Sequence, residues 1–278
     1  MNKVVSYFFS DYNFSVQAFK FKRLLYLFLA IKCIYWLAYY DLYFGQNAIA
    51  FTKHYSLGTF RDGAFYLYNS NSTSLGFYFI LSVLISIGAS LILKKVPFLF
   101  EFIIWILVIN IHNKIYSTLT GGDYLLNQFL FFNCFLAKYQ IQNSSIQKSF
   151  SIWLHNQAMV ALLIQVNLVY FIAAIAKLNS SDWLSGIAII KLDQIEYFNL
   201  FSNPISANNF GGYFLNYLVL FYQLFFPVLI WINKIKVPFM IIGILMHLYI
   251  AFITGLVGFG IIMLLGYILF WPSKKALN

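Results

Sequence analysis

Long apolar runs separated by short basic connectors dominate this chain, as in Phe77–Leu93 and Val237–Leu256. A helix needs about 20 predominantly apolar residues to cross the hydrocarbon core of a bilayer. Lipid cannot satisfy backbone polar groups, so a crossing segment is either a helix or part of a closed barrel. Barrel strands alternate apolar and polar positions over about ten residues. The runs here are continuous, so the pattern predicts helices. It places crossings at Leu24–Tyr43, Leu75–Leu93, Phe98–Leu119, Tyr124–Tyr139, Trp153–Lys177, Tyr213–Ile232, Val237–Gly255 and Gly258–Trp271. The expected fold is all-α: a polytopic integral membrane helical bundle of about eight transmembrane helices, forming a single domain over residues 1–278.

Composition agrees with that pattern. Of the 278 residues 62% are hydrophobic and 9% charged, against roughly 25% charged in a soluble domain, which is too little charge to coat a water-facing surface. The net charge of +10 is not a nucleic-acid signal, because the basic residues sit in small clusters between apolar runs. Such clusters report topology instead. With the N-terminus in the cytoplasm, the cytoplasmic segments hold Lys3, Lys20, Lys22, Arg23, Lys94, Lys95, Lys138, Lys148, Lys234, Lys236, Lys274 and Lys275, which is 12 of the 18 basic residues. The outer side holds Lys53, Arg61, Lys114, Lys177 and Lys191, and Lys32 lies within the first helix. Asp41, Asp62, Asp123, Asp182, Asp193 and Glu196 all map outside. The expected location is therefore the cell membrane, multi-pass, with both termini cytoplasmic. The first apolar run is too long for a signal-peptide core. Cys33 and Cys134 fall inside apolar runs and read as buried free thiols. Two long outer segments, 44–74 and 178–212, are rich in aromatic residues, including Trp183, Phe198, Phe201 and Phe210, and are expected at the membrane interface.

Ionisable groups are costly in a bilayer and are default candidates for function. The third crossing carries Glu101, Asn110, His112, Asn113 and Lys114. At 100° per residue Asn110, Asn113 and Lys114 share one face, and Glu101 and His112 lie roughly opposite. A helix polar on two faces is expected to be surrounded by protein. Glu101 is expected near Lys94 and Lys95 at the cytoplasmic end. The turn Thr120-Gly121-Gly122-Asp123 opens the fourth crossing, where a carboxylate caps free N–H groups and meets the positive end of the helix dipole. Asp123 is also placed to face His112 or Lys114. In the fifth crossing Asn156, Asn167, Tyr170 and Lys177 form one stripe, with Ala173, Ala174 and Ala176 permitting close helix packing. Lys177 also has an ordinary role available, snorkelling to the outer interface. His247 stands mid-way along the seventh crossing on a stripe with Gly243 and Thr254, and Gln223 mid-way along the sixth. No histidine pair has ligand spacing, so no metal is assigned. No phosphate loop, nucleophile elbow or dinucleotide fingerprint is present, so no cofactor is assigned. The catalytic candidates are Lys114, His112, Asp123, Lys177 and His247. The substrate-binding candidates are Asn167, Tyr170, Trp183 and Gln223.

Three stretches carry a family resemblance: Thr120-Gly-Gly-Asp-Tyr-Leu-Leu126 opening a helix; Gln165-Val-Asn-Leu-Val-Tyr-Phe-Ile-Ala-Ala-Ile-Ala-Lys-Leu178 followed by Trp183 and Gly186; and the late helix with His247 before an apolar run containing Met263. Over about residues 20–272 the chain resembles the HTTM family, the membrane domain related to vitamin K-dependent gamma-carboxylase. Its Gly-Gly-Asp turn and Ala-Ala-Ile-Ala-Lys-Leu segment look most like the sporulation-delaying-protein B branch. By position Gly121, Gly122, Asp123, Gln165, Tyr170, Lys177, Trp183, Gly186 and His247 match the pattern. The resemblance implies maturation or export of a small antimicrobial peptide, with a secreted peptide precursor and a companion maturation protein as partners beside the lipid bilayer. In this family a glutamate or similar polar group often precedes the proline of the sixth helix. Here it is Gln223, before Pro227, which weakens an acid–base role there. Carboxylases of the wider family use a lysine base near the turn corresponding to residues 114–123, where Lys114 lies with a shifted spacing. No counterpart of their lumenal domain follows Asn278, so glutamate carboxylation is not the expected chemistry. The alternative readings are a superfamily membrane enzyme acting on another substrate, and a transporter or immunity protein. Transport ranks lower because paired broken helices and internal symmetry are not evident.

Overall fold

The computed structural model describes residues 14–46, 48–50, 73–92, 98–136, 145–196, 201 and 209–272, with the side chains of 73, 145–149 and 209 left aside. Those residues are all-α, with no strand among them. The helices are α1 (Ser15–Ala38), α2 (Tyr40–Phe44), α3 (Thr73–Ile92), α4 (Phe98–Lys114), α5 (Gly121–Asn133), α6 (Ser145–Leu178), α7 (Ser181–Leu184), α8 (Ala188–Asp193), α9 (Asn209–Leu229), α10 (Asn233–Phe252) and α11 (Val257–Phe270), with a 3-10 turn at Tyr116–Thr118. The chain divides into two compact units, residues 1–159 and 160–278, and the boundary falls inside α6.

Four stretches are long and apolar enough to cross a membrane: Ser74–Ile92, Phe150–Leu178, Phe210–Leu229 and Asn233–Phe252. Only 28% to 39% of the most apolar window of each is buried inside the protein, so most of their apolar surface needs lipid to cover it. Four further crossings were expected. α1 has 24 residues, roughly 36 Å of helix, but carries Lys20, Lys22, Arg23 and Lys32. α4, α5 and α11 have 17, 13 and 14 residues. The 13 residues of α5 make roughly 20 Å of helix, short of the ~30 Å hydrocarbon core. α6 begins at Ser145, ahead of the expected Trp153, and has 34 residues. Much of the charge asymmetry lies outside the described residues: Lys3, Lys53, Arg61, Asp62, Lys94, Lys95, Lys138, Lys274 and Lys275, as well as the Lys148 side chain. So do Phe198 and residues 51–72 of the first outer segment.

In the first unit α1 packs on α3, α3 on α4, and α4 on α5. Phe21, Leu25, Leu29, Cys33 and Trp36 form the buried stripe of α1, while Leu24, Leu27, Ile31 and Ile34 stay exposed. A helix that is apolar on both its buried and its exposed faces suits protein on one side and lipid on the other. Both cysteines are free and buried.

Long polar side chains bridge these helices. Lys22 pairs with Glu101 on α4 at 2.6 Å, both almost fully buried. The same ammonium donates to the carbonyls of Asn133 at 3.5 Å and Leu136 at 3.2 Å, where α5 ends. A cation there meets the negative end of the helix dipole. Asn133 Nδ2 donates to Tyr26 Oη at 2.9 Å.

In the second unit α10 packs on α11 and on α9, and α9 also packs on α7 and α8. The connection from α7 to α8 turns at Gly186, whose φ is +84°. A Cβ there would lie 2.5 Å from the Tyr213 ring and 3.1 Å from the Tyr217 ring. Tyr217 Oη donates to Leu184 O at 2.9 Å and Asn216 Nδ2 to Trp183 O at 2.9 Å, tying this turn to α9. Gly186→Ala therefore combines a left-handed backbone with a clash, and should cost on the order of 1–3 kcal/mol for the backbone alone. Thermal unfolding in detergent should show a lower midpoint for Gly186→Ala. Gly88→Ala, where a Cβ meets nothing within 4 Å, should leave the midpoint unchanged or raise it.

Candidate functional site

The first cluster is built around Asp123, the third residue of α5. Its Oδ2 accepts the Thr120 backbone N–H at 2.7 Å and the Thr120 hydroxyl at 2.9 Å. This is the reach-back bond of a capping box, which satisfies donors that the helix leaves unbonded. The other oxygen, Oδ1, pairs with the ammonium of Lys32 from α1. His112, near the end of α4, brings Nε2 to 3.9 Å from the same Oδ1. Asp123 is 5% exposed and His112 1%. His112 Nδ1 lies 2.9 Å from Asn127 Oδ1. With an amide oxygen against it, Nδ1 carries the proton, and a neutral imidazole then turns its Nε2 lone pair towards the carboxylate.

Trp36, one turn after Lys32, closes this cluster on the α1 side. The Lys32 ammonium lies 5.3 Å from its ring centroid, a cation–π contact, and its ring meets His112 edge-on at 5.6 Å. Chemically the set is a carboxylate shared by a cation and an imidazole in a desolvated place. A proton added to His112 turns a lone pair facing Asp123 into a donor, in competition with Lys32. That is the equipment of a proton-exchanging site.

Both readings of Asp123 hold at once: one oxygen caps α5 while the other faces His112. The lysine bonded to it is Lys32, which the sequence reading had not singled out. Lys114, the last residue of α4, is itself buried. The signal for Lys32 was its position inside an apolar helix, away from every connector. Glu101 bonds Lys22; Lys94 and Lys95, near which it was expected, lie outside the described residues.

The remaining candidates belong to the second unit. Tyr170 on α6 joins His247 on α10: its Oη lies 2.6 Å from His247 Nε2 and 2.6 Å from Tyr267 Oη on α11. Tyr267 Oη lies 2.8 Å from Tyr222 Oη on α9. Tyr222 and Tyr267 were missed, since aromatic residues within apolar runs look like core or lipid-facing positions. Lys177 is half-buried with its ammonium 4.8 Å from the Trp183 ring centroid, so these two candidates meet. Asn167 Nδ2 bonds back to Leu163 O at 2.7 Å within its own helix. Gln223 is buried, and its Oε1 has no partner among the described residues. Pro227 lies within α9 and removes the N–H that would bond the Gln223 carbonyl. No group of three or more His, Cys, Asp or Glu among the described residues is arranged to hold a metal ion.

The family model of the HTTM domain matches residues 77–274. No curated protein matches the chain, and no solved structure does.

A buried ion pair that loses one partner leaves a charge uncompensated, which typically costs roughly 3–5 kcal/mol, whereas replacing both partners costs far less. Lys32→Met and Asp123→Asn should each lower thermal stability in detergent, and the double variant should recover part of the combined loss. Strict additivity would mean that the two side chains do not interact.

Proposed function

The chain belongs to the HTTM-domain family, a membrane protein of the carboxylase-like superfamily, and from that premise we propose that it matures or exports a small secreted antimicrobial peptide. In this reading it is one membrane domain of eight crossings in a bacterial cytoplasmic membrane, with both termini in the cytoplasm. A family match running from residue 77 to 274, across the boundary between the two units, supports treating them as one domain. The resemblance to the sporulation-delaying-protein B branch supports the peptide role, with a peptide precursor and a companion maturation protein as partners.

The observation that carries the proposal is the convergence on Asp123. The Gly-Gly-Asp turn is one of the stretches that resemble the branch, and its carboxylate is where Lys32 and His112 meet. Lys32, His112 and Asp123, with Lys114 nearby in sequence, form the proton-exchanging group. Asn167, Trp183 and Gln223 bind substrate, with His247 held by Tyr170 and Lys177 beside Trp183. The same acid–base set favours a second reading, a superfamily membrane enzyme acting on a different substrate.

The test is peptide output from a producer strain carrying Lys32→Met, Asp123→Asn or Lys177→Gln, with membrane abundance verified. Activity of the secreted peptide should fall towards the level of the gene deletion while abundance is kept. Unmodified precursor reaching the medium would point to maturation, and precursor retained in the cell to export. Normal active peptide from the deletion strain would remove the peptide role and leave the second reading.

A further inference from the structure

His247 ends a chain of three tyrosine hydroxyls buried in the second unit. The links run Tyr222 Oη to Tyr267 Oη at 2.8 Å, Tyr267 Oη to Tyr170 Oη at 2.6 Å, and Tyr170 Oη to His247 Nε2 at 2.6 Å. Phe226 stacks on Tyr170 with centroids 3.9 Å apart, and Phe239 stacks on Tyr222 at 4.4 Å. Phe259 meets the imidazole edge-on at 6.0 Å. Gly243, one turn before His247, makes room for the hydroxyls: a Cβ there would collide with both Tyr222 Oη and Tyr267 Oη. His247 is 1% exposed, and its Nδ1 has no hydrogen-bond partner among the described residues.

Proton counting fixes the direction of the chain. Four neutral groups hold four protons for three links. If Tyr222 donates to Tyr267, Tyr267 to Tyr170 and Tyr170 to His247 Nε2, the fourth proton sits on Nδ1, the single unpaired donor. If every link is reversed, the Tyr222 proton has no acceptor and Nδ1 is left as a bare acceptor, giving two unpaired groups. Unpaired polar groups are expensive in an apolar interior, so the first direction is preferred. It presents an N–H from within α10, a helix long and apolar enough to cross a membrane.

We propose that His247 is the hydrogen-bond donor of a membrane-embedded ligand site, presenting Nδ1–H to a carbonyl-type oxygen, and that Tyr170, Tyr267 and Tyr222 are positioning residues that hold this tautomer. The ligand class follows from the donor: an amide, ester or ketone oxygen on a molecule apolar enough to enter the hydrocarbon region. This deepens the functional reading above by giving His247 a chemistry, but stands on second-unit geometry alone.

The test uses the full chain in nanodiscs with 15N-labelled histidine, the His247 signals being assigned by their loss in His247→Asn. The expected spectrum shows a protonated Nδ1 and an unprotonated Nε2. In Tyr170→Phe that preference should be lost, because Nε2 no longer receives a donor. A protonated Nε2 in the unaltered chain overturns the proposal even where Tyr170→Phe fails to fold. N-methyldecanamide should shift the Nδ1–H resonance saturably and decane should not. Identical responses to the two probes overturn the ligand site. Because neither readout involves peptide output, failure of the peptide role and failure of this proposal are distinguishable.

Discussion

A charge carried into an apolar interior has to be met by an opposite charge, and the first unit is organised around two such meetings. Lys22 bonds Glu101 on α4 and the carbonyls at the end of α5. Lys32 bonds Asp123 at the start of α5. The two lysines are ten residues apart on α1, and Asp123 and Asn133 are ten apart on α5 in the opposite sense, roughly 15 Å along each helix. The helices thus run antiparallel with their register held at both ends. A slip by one residue would unpair both lysines, which a buried apolar setting cannot compensate. This brace explains how a helix as short as α5 keeps a defined place among longer ones.

The brace also accounts for the arrangement of the cluster at Asp123. Asp123 has two oxygens and three obligations: the free donors at Thr120, the ammonium of Lys32, and His112. Capping takes one oxygen, so cation and imidazole converge on the other. Trp36 lies against both Lys32 and His112 and keeps their surroundings apolar. Helix capping and ion pairing therefore share one carboxylate. The buried chain of the second unit handles polarity differently, linking three hydroxyls and an imidazole without a charge.

The apolar runs made α3, α6, α9 and α10 readable, because length and continuity alone report a helix that can face lipid. Helix ends were less readable. α6 starts early because the polar stretch from Ser145 continues the helix, and α5 stops early where Asn133 reaches across to Tyr26 and Lys22 takes the terminal carbonyls. Of the two clusters, Asp123 and His112 in the first unit and Tyr170 and His247 in the second were visible as polar residues in costly places. Periodicity places residues on a face of their own helix but does not say which other helix that face meets. Lys32, Tyr222 and Tyr267 were hidden for that reason, as was the bond from Lys22 on α1 to Glu101. Gly243 looked like a stripe-mate of His247, and its small size proves to matter for the tyrosines beside it.

The central claim is that Lys32 and Asp123 are paired inside the membrane domain. Its most direct test is the dipolar coupling between 15N-labelled lysine side chains and 13C-labelled aspartate carboxyls, measured on the full chain in lipid. The account predicts a short-range coupling that disappears in Lys32→Met and persists in Lys191→Met, the latter removing the exposed pair with Asp182. A spectrum in which Lys191→Met abolishes all coupling would contradict it, since Asp123 would then have no lysine at bonding distance.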